Sequence, residues 1–106
     1  MTRRDRDVVR RFKRLLARDH VPLVSTTLFG SRARGDAEAG SDYDVLVVVD
    51  GADSHVRTTV HRCAWEAGLD RGLVIVPVVV TRDEAERGPL RSSLLMQAVR
   101  EEGVPV

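Results

Sequence analysis

An α/β domain with a small mixed β-sheet flanked by helices is the fold class this 106-residue sequence predicts. Three observations predict it. Two β-rich runs, Leu23 to Phe29 and Val45 to Val49, are joined by a short polar segment, which favours an antiparallel pair. The second of these and a third run, Leu73 to Val80, are separated by a helical repeat, the pattern of a parallel crossover expected to be right-handed. A further amphipathic helix precedes all three.

Taken in order, Val8, Val9, Phe12, Leu15 and Leu16 recur at helical spacing, with arginines and Lys13 on the other side, and the helix must stop before Pro22. The first strand ends at Gly30, and the small polar residues from Ser31 to Gly40 predict a loop or one short helical turn. Val45 to Val49 is almost purely β-branched, as expected of a strand covered on both faces. Val56, Val60, Cys63, Ala64 and Ala67 line one side of the next helix, with Asp53 or Ser54 as its N-cap and Gly68 as its stop. Pro77 lacks a ladder donor and places the third strand at an edge or at a bulge. Thr81-Arg82-Asp83-Glu84 fits a capping box and predicts a short helix. Leu90, Leu94, Leu95, Ala98 and Val99 predict one closing helix that ends near Gly103.

Composition sets limits on function. Hydrophobic residues make up 42% and charged residues 31%, ordinary for one globular domain, so residues 1–106 are expected to form a single unit. No apolar run reaches membrane-spanning length, and no membrane partner is expected. The lone Cys63 excludes an internal disulfide and fits a reducing cytoplasm. His20, His55 and His61 have no zinc-ligand spacing, and His61 and Cys63 point to different helix faces. The net charge of +1 is uneven: residues 1–18 hold eight Lys/Arg against two Asp, leaving the remainder acidic. That basic helix reads either as a surface for nucleic acid or an acidic partner, or as a solvated face.

The stretch GSRARGDAEAGSDYD, Gly30 to Asp44, carries the chemistry. Asp36 stands where a P-loop needs its lysine, and G-x-G-x-x-G is absent, so neither common nucleotide loop applies. What remains is a strand ending at Gly30, where a ligand can approach the backbone, then Ser31 as a phosphate donor and Arg32 and Arg34 as forked cations. Asp42 and Asp44 project from one face of a strand, with Cα atoms about 6.5 to 7 Å apart. Two carboxylates so placed can share a hard cation such as Mg²⁺. The short connection sets both groups at the same edge of the sheet.

Gly30-Ser31 followed by Ser41-Asp42-Tyr43-Asp44-Val45-Leu46-Val47-Val48-Val49 resembles the signature of the minimal nucleotidyltransferases of the DNA polymerase beta superfamily, through nearly the whole chain. The resemblance implies that Gly30, Ser31, Arg32 and Arg34 bind the triphosphate and that Asp42 and Asp44 are catalytic, as ligands of two Mg²⁺ ions. It further implies transfer of a nucleoside monophosphate, AMP, from a nucleoside triphosphate to an acceptor hydroxyl with loss of pyrophosphate. An antitoxin-like action on a toxin-like protein partner is one expectation, and a homo-oligomer is another. The family's third carboxylate is expected near position 74, where this chain has Val74. Asp50 lies too far along the strand to replace it. Asp70, in the loop before the third strand, is the candidate replacement, weighed against its reading as an ordinary loop residue. A non-catalytic nucleotide- or partner-binding module therefore stands as the alternative.

Overall fold

A computed structural model describes residues 1–106. The chain runs α1 (Arg3–Arg18), β1 (Leu23–Phe29), α2 (Ser31–Arg34), β2 (Tyr43–Val49), α3 (Ser54–Leu69), β3 (Ile75–Thr81), α4 (Arg82–Glu86), a 3-10 turn (Pro89–Ser92), α5 (Leu94–Glu102) and β4 (Val104–Pro105). The sheet order is β3-β2-β1-β4. β1 pairs antiparallel with β2 and with β4, and β2 pairs parallel with β3 through α3, as the loop lengths require. Pro77 does sit in an edge strand.

β2 is the centre, and its alternation explains its composition. Tyr43, Val45, Val47 and Val49 face a core built with α1 and α3, including Val8, Phe12, Leu16, Val60 and Cys63. Leu46 and Val48 face the other side, against Val80, Met96 and Val99. Both faces are covered, so the run from Val45 onward has no polar residue. Asp42 and Asp44 share the parity of Leu46 and Val48 but precede them, and there the cover thins: Asp44 is half-buried and Asp42 exposed.

Three expectations are corrected. The closing helix is in two pieces, because the Ser93 hydroxyl accepts a hydrogen bond from the Met96 amide and starts α5 there. Met96 then replaces Leu94 on the core face, and Leu94 is 85% exposed. Gly68 is not the helix stop, since α3 continues to Leu69. Its missing side chain instead admits the Leu73 carbonyl, which a Cβ would strike. Finally, β4 was not anticipated: two residues with a proline give no strand signal, yet Leu28 and Val104 pair across the ladder.

Candidate functional site

Gly30 ends β1 with φ 75° and caps α2, a conformation side-chain-bearing residues rarely adopt. A Cβ there would collide with Asp44 Oδ2, so the glycine is what lets that carboxylate lie against the turn. The amides of Ala33 and Arg34 both donate to the Gly30 carbonyl at 3.1 Å, and Gly35 closes the turn in the left-handed region. Helix geometry leaves the amides of Ser31 and Arg32 without an intrahelical acceptor.

The register sets Asp44 opposite Phe29 of β1 and beside Val76 of β3, and Asp42 precedes it on the same face. Burial pushes the Asp44 carboxyl above its usual range, and the neighbouring Asp42 charge adds to this while Arg34 partly offsets it. Two carboxylates in mutual repulsion beside a turn with free amides form a donor set of hard oxygens. That set fits Mg²⁺, which takes one or two carboxylates and completes its shell with phosphate oxygens and water. No three Asp, Glu, His or Cys side chains gather anywhere in the chain to make a metal cage on their own.

The two arginines part company. Arg34 is exposed, with Nε donating to Asp36 at 3.2 Å and Nη1 to both oxygens of Glu102 at 3.2 Å. Arg32 turns inward. Its guanidinium donates to the carbonyls of Ser41 at 2.8 Å and Ala39 at 3.1 Å, lies 3.4 Å from Asp5 Oδ1, and stacks 4.4 Å from the centroid of Tyr43. It braces the loop that delivers Asp42.

Asp5 and Tyr43 are the residues the motif did not point to. Asp5 is buried in the first turn of α1 and closes a capping box with Thr2, for which the spacing Thr2-Arg3-Arg4-Asp5 was the available signal. It also accepts the Tyr43 hydroxyl at 2.8 Å. Tyr43 stands between the two aspartates and points to the opposite face, so its anchoring sets the strand that carries both.

Asp70 is not brought to this group. It is exposed and paired with Arg11 at 2.9 Å. Asp50 is likewise remote, 3.5 Å from Arg82 at the far end of β2. Beside the aspartates, the start of β3 and the residue before it offer only Val76 and Val74, 39% and 56% exposed. An apolar cavity of about 240 Å³ lies between α3 and β3, lined by Trp65, Leu69, Leu73, Val74 and Pro77 among others and by neither aspartate.

A strand ending in Gly-Ser, a one-turn helix and a D-x-D strand in a mixed sheet define a nucleotidyltransferase-type domain. Residues 9–100 match the family model described as a nucleotidyltransferase domain, and the chain belongs to that family. Solved structures share the fold. One is a toxin-antitoxin with AMP-PNP, at TM-score 0.63 and 24% identity over 91% of this chain and 69% of that one. Another is a mutant of the toxin-antitoxin MntA-HpeT, at TM-score 0.62 and 21% identity over 95% and 70%. A third is a tri-AMPylated Shewanella oneidensis HEPN toxin in complex with MNT antitoxin, at TM-score 0.58 and 24% identity over 95% and 70%. No match is found among curated proteins.

Proposed function

We propose that this domain binds a Mg²⁺-nucleoside triphosphate at the Gly30 turn and transfers its nucleoside monophosphate, AMP, to a hydroxyl on a protein partner. The observation that carries the reading is the seating of Asp44 against Gly30 with Asp42 on the same face. Asp42 and Asp44 would hold the metal, which supplies charge neutralisation for the triphosphate and the developing transition-state charge. The Gly30 turn positions the phosphates through the Ser31 hydroxyl and the amides that follow it. Arg34, held at the rim by Asp36 and Glu102, adds a cation near Asp44, and Arg32 keeps the loop in place. In the transfer, the acceptor oxygen forms a bond to the α-phosphorus, the bond to the α,β-bridging oxygen breaks, and pyrophosphate leaves with its electron pair. The acceptor proton passes to water or to a base on the partner, since β3 provides no carboxylate beside the aspartates. Structures of this fold with AMP-PNP and with an AMPylated toxin support both the nucleotide and a toxin-like partner.

The second reading, a module that binds nucleotide or partner without turnover, draws on Val74 and on the capture of Asp70 by Arg11. Incubation with labelled ATP and Mg²⁺, with and without the product of the adjacent reading frame, separates the two. Label on the partner that disappears with Asp42→Asn plus Asp44→Asn supports transfer. Calorimetric binding without label supports the second reading, and undiminished Mg²⁺-ATP binding by the double variant refutes the site itself.

A further inference from the structure

α1 carries eight of the seventeen Lys and Arg residues, and the fold treats them unlike the others. Outside the helix, six of nine, Arg32, Arg34, Arg57, Arg62, Arg82 and Arg87, form ion pairs, while Arg71, Arg91 and Arg100 do not, Arg100 donating instead to the Arg91 carbonyl. On α1 only Arg11 and Arg18 do so, and Lys13 donates to the Val106 carbonyl. Arg3, Arg4, Arg6, Arg10 and Arg14 take part in none of the chain's ion pairs. Four of these five form a row. At about 100° per residue, Arg3, Arg10 and Arg14 point directly away from the face that buries Val8, Phe12 and Leu15, and Arg6 stands one step aside. Asp7 lies beside the row and pairs with none of them.

A solvated helix face is ordinarily laced with opposite charges. Here Arg6, Arg10 and Arg14 follow one another at i,i+4, an arrangement that costs a few tenths of a kcal/mol per like-charged pair. From Arg3 to Arg14 the row is about 16 Å long, at about 1.5 Å per residue. We propose that it binds the phosphate backbone of a single-stranded nucleic acid.

Three features favour that ligand. The row is one cation wide, so it matches one chain of phosphates and not the two strands that flank a duplex groove. No exposed apolar or aromatic residue interrupts it, whereas a protein interface needs a desolvated apolar centre. The apolar side of α1 is spent in the core, leaving nothing to insert into a lipid surface. Binding would be indifferent to base sequence, since no aromatic ring is present on α1's outer face to stack a base. It needs neither metal nor nucleoside triphosphate, so it stands apart from the transfer reaction.

The test is fluorescence anisotropy of the full chain with a labelled single-stranded RNA of about 20 nucleotides. Four phosphate contacts predict a slope of log K against log salt of about −3, at about 0.7 per phosphate. Replacing all four row residues (Arg3→Gln, Arg6→Gln, Arg10→Gln and Arg14→Gln) should weaken binding at least about tenfold near 50 mM salt and flatten the slope towards zero. Arg82→Gln with Arg87→Gln should leave both unchanged. Glutamine is a good helix former, and Arg3, Arg10 and Arg14 are exposed and Arg6 half-buried, so the fold should survive, and the parent's salt slope is a check that needs no variant. The proposal is overturned if the parent does not bind, if the fourfold variant binds equally well, or if a duplex or a polyglutamate peptide binds more tightly than the single strand.

Discussion

The Tyr43 hydroxyl donates a 2.8 Å hydrogen bond to Asp5 Oδ1 across 38 residues of sequence, and the bond ties the first turn of α1 to the strand of the two aspartates. Both residues are almost wholly buried, and Arg32 shares the same carboxylate. One side chain thus caps a helix, satisfies a buried phenol and faces the charge of a largely buried arginine.

Asp5→Ala should therefore cost about 2 to 4 kcal/mol in urea unfolding, as a lost cap combined with a buried hydroxyl left without a partner and a largely buried arginine left without its counter-charge. The pH dependence has a definite sign. Burial alone pushes the Asp5 carboxyl up, but hydrogen bonds from the Thr2 amide, the Tyr43 hydroxyl and the Thr2 hydroxyl, with the Arg32 charge, outweigh it and lower the pKa below 3.8. A lowered pKa contributes stability above the unfolded value and loses it as pH falls through the folded one. Below about pH 4 the parent should lose stability more steeply than Asp5→Asn. Parallel slopes in unfolding curves measured across that range would refute the assignment.

Asp44 should show the opposite behaviour. Its raised pKa means that the ionised form is held at a cost, so its contribution is fully present below 3.8 and is lost as pH rises through the folded value. Asp44→Asn should raise Tm at pH 7 without metal, while losing Mg²⁺-nucleotide binding. A Tm equal to or below the parent's at neutral pH would show that burial and the Asp42 charge do not strain this carboxylate.

Gly30→Ala should fail for two reasons that add: a methyl in the positive-φ region and a collision with Asp44 Oδ2. A loss of about 1 to 3 kcal/mol in thermal or urea unfolding is expected. Nucleotide binding measured by calorimetry should fall by more than the unfolded fraction explains. Gly35→Asn, at another positive-φ position with open space around it, should be much milder.

Val74→Asp introduces a carboxylate at an exposed position just before β3, two residues from Val76, the neighbour of Asp44. Because Val74 is already open to water, the charge is cheap to place. Metal affinity should rise about tenfold or more, and transfer should appear or accelerate by about 10² to 10⁴ if the added group acts as a general base. Asp70→Asn should change stability by less than about 1 kcal/mol and leave transfer unaltered, as expected of an exposed ion pair. Rapid transfer by the parent that is abolished by Asp70→Asn would make Asp70 the missing carboxylate.

What the sequence determined by itself was everything governed by short range. The strand from Leu23 to Phe29, the helix over Val56 to Ala67, the Thr81 capping box and the directions of the β1–β2 and β2–β3 pairings follow from periodicity, caps and loop length, and all are present. The adjacency of Gly30-Ser31 and Asp42-Asp44 was equally legible, since a short loop between antiparallel strands returns the chain to the same edge. Tertiary structure decided the rest, because those outcomes depend on atoms remote in sequence. Leu94 fits the helical period of its neighbours, but the Ser93 cap shifts where the helix begins and turns it to solvent. Gly68 looks like a stop until the Leu73 carbonyl occupies the space its side chain would need. Arg32 reads as a phosphate contact on spacing alone, yet Asp5, Ser41, Ala39 and Tyr43 together engage its guanidinium within the fold. A forked cation goes where its donors are satisfied, and only the folded chain brings those acceptors together.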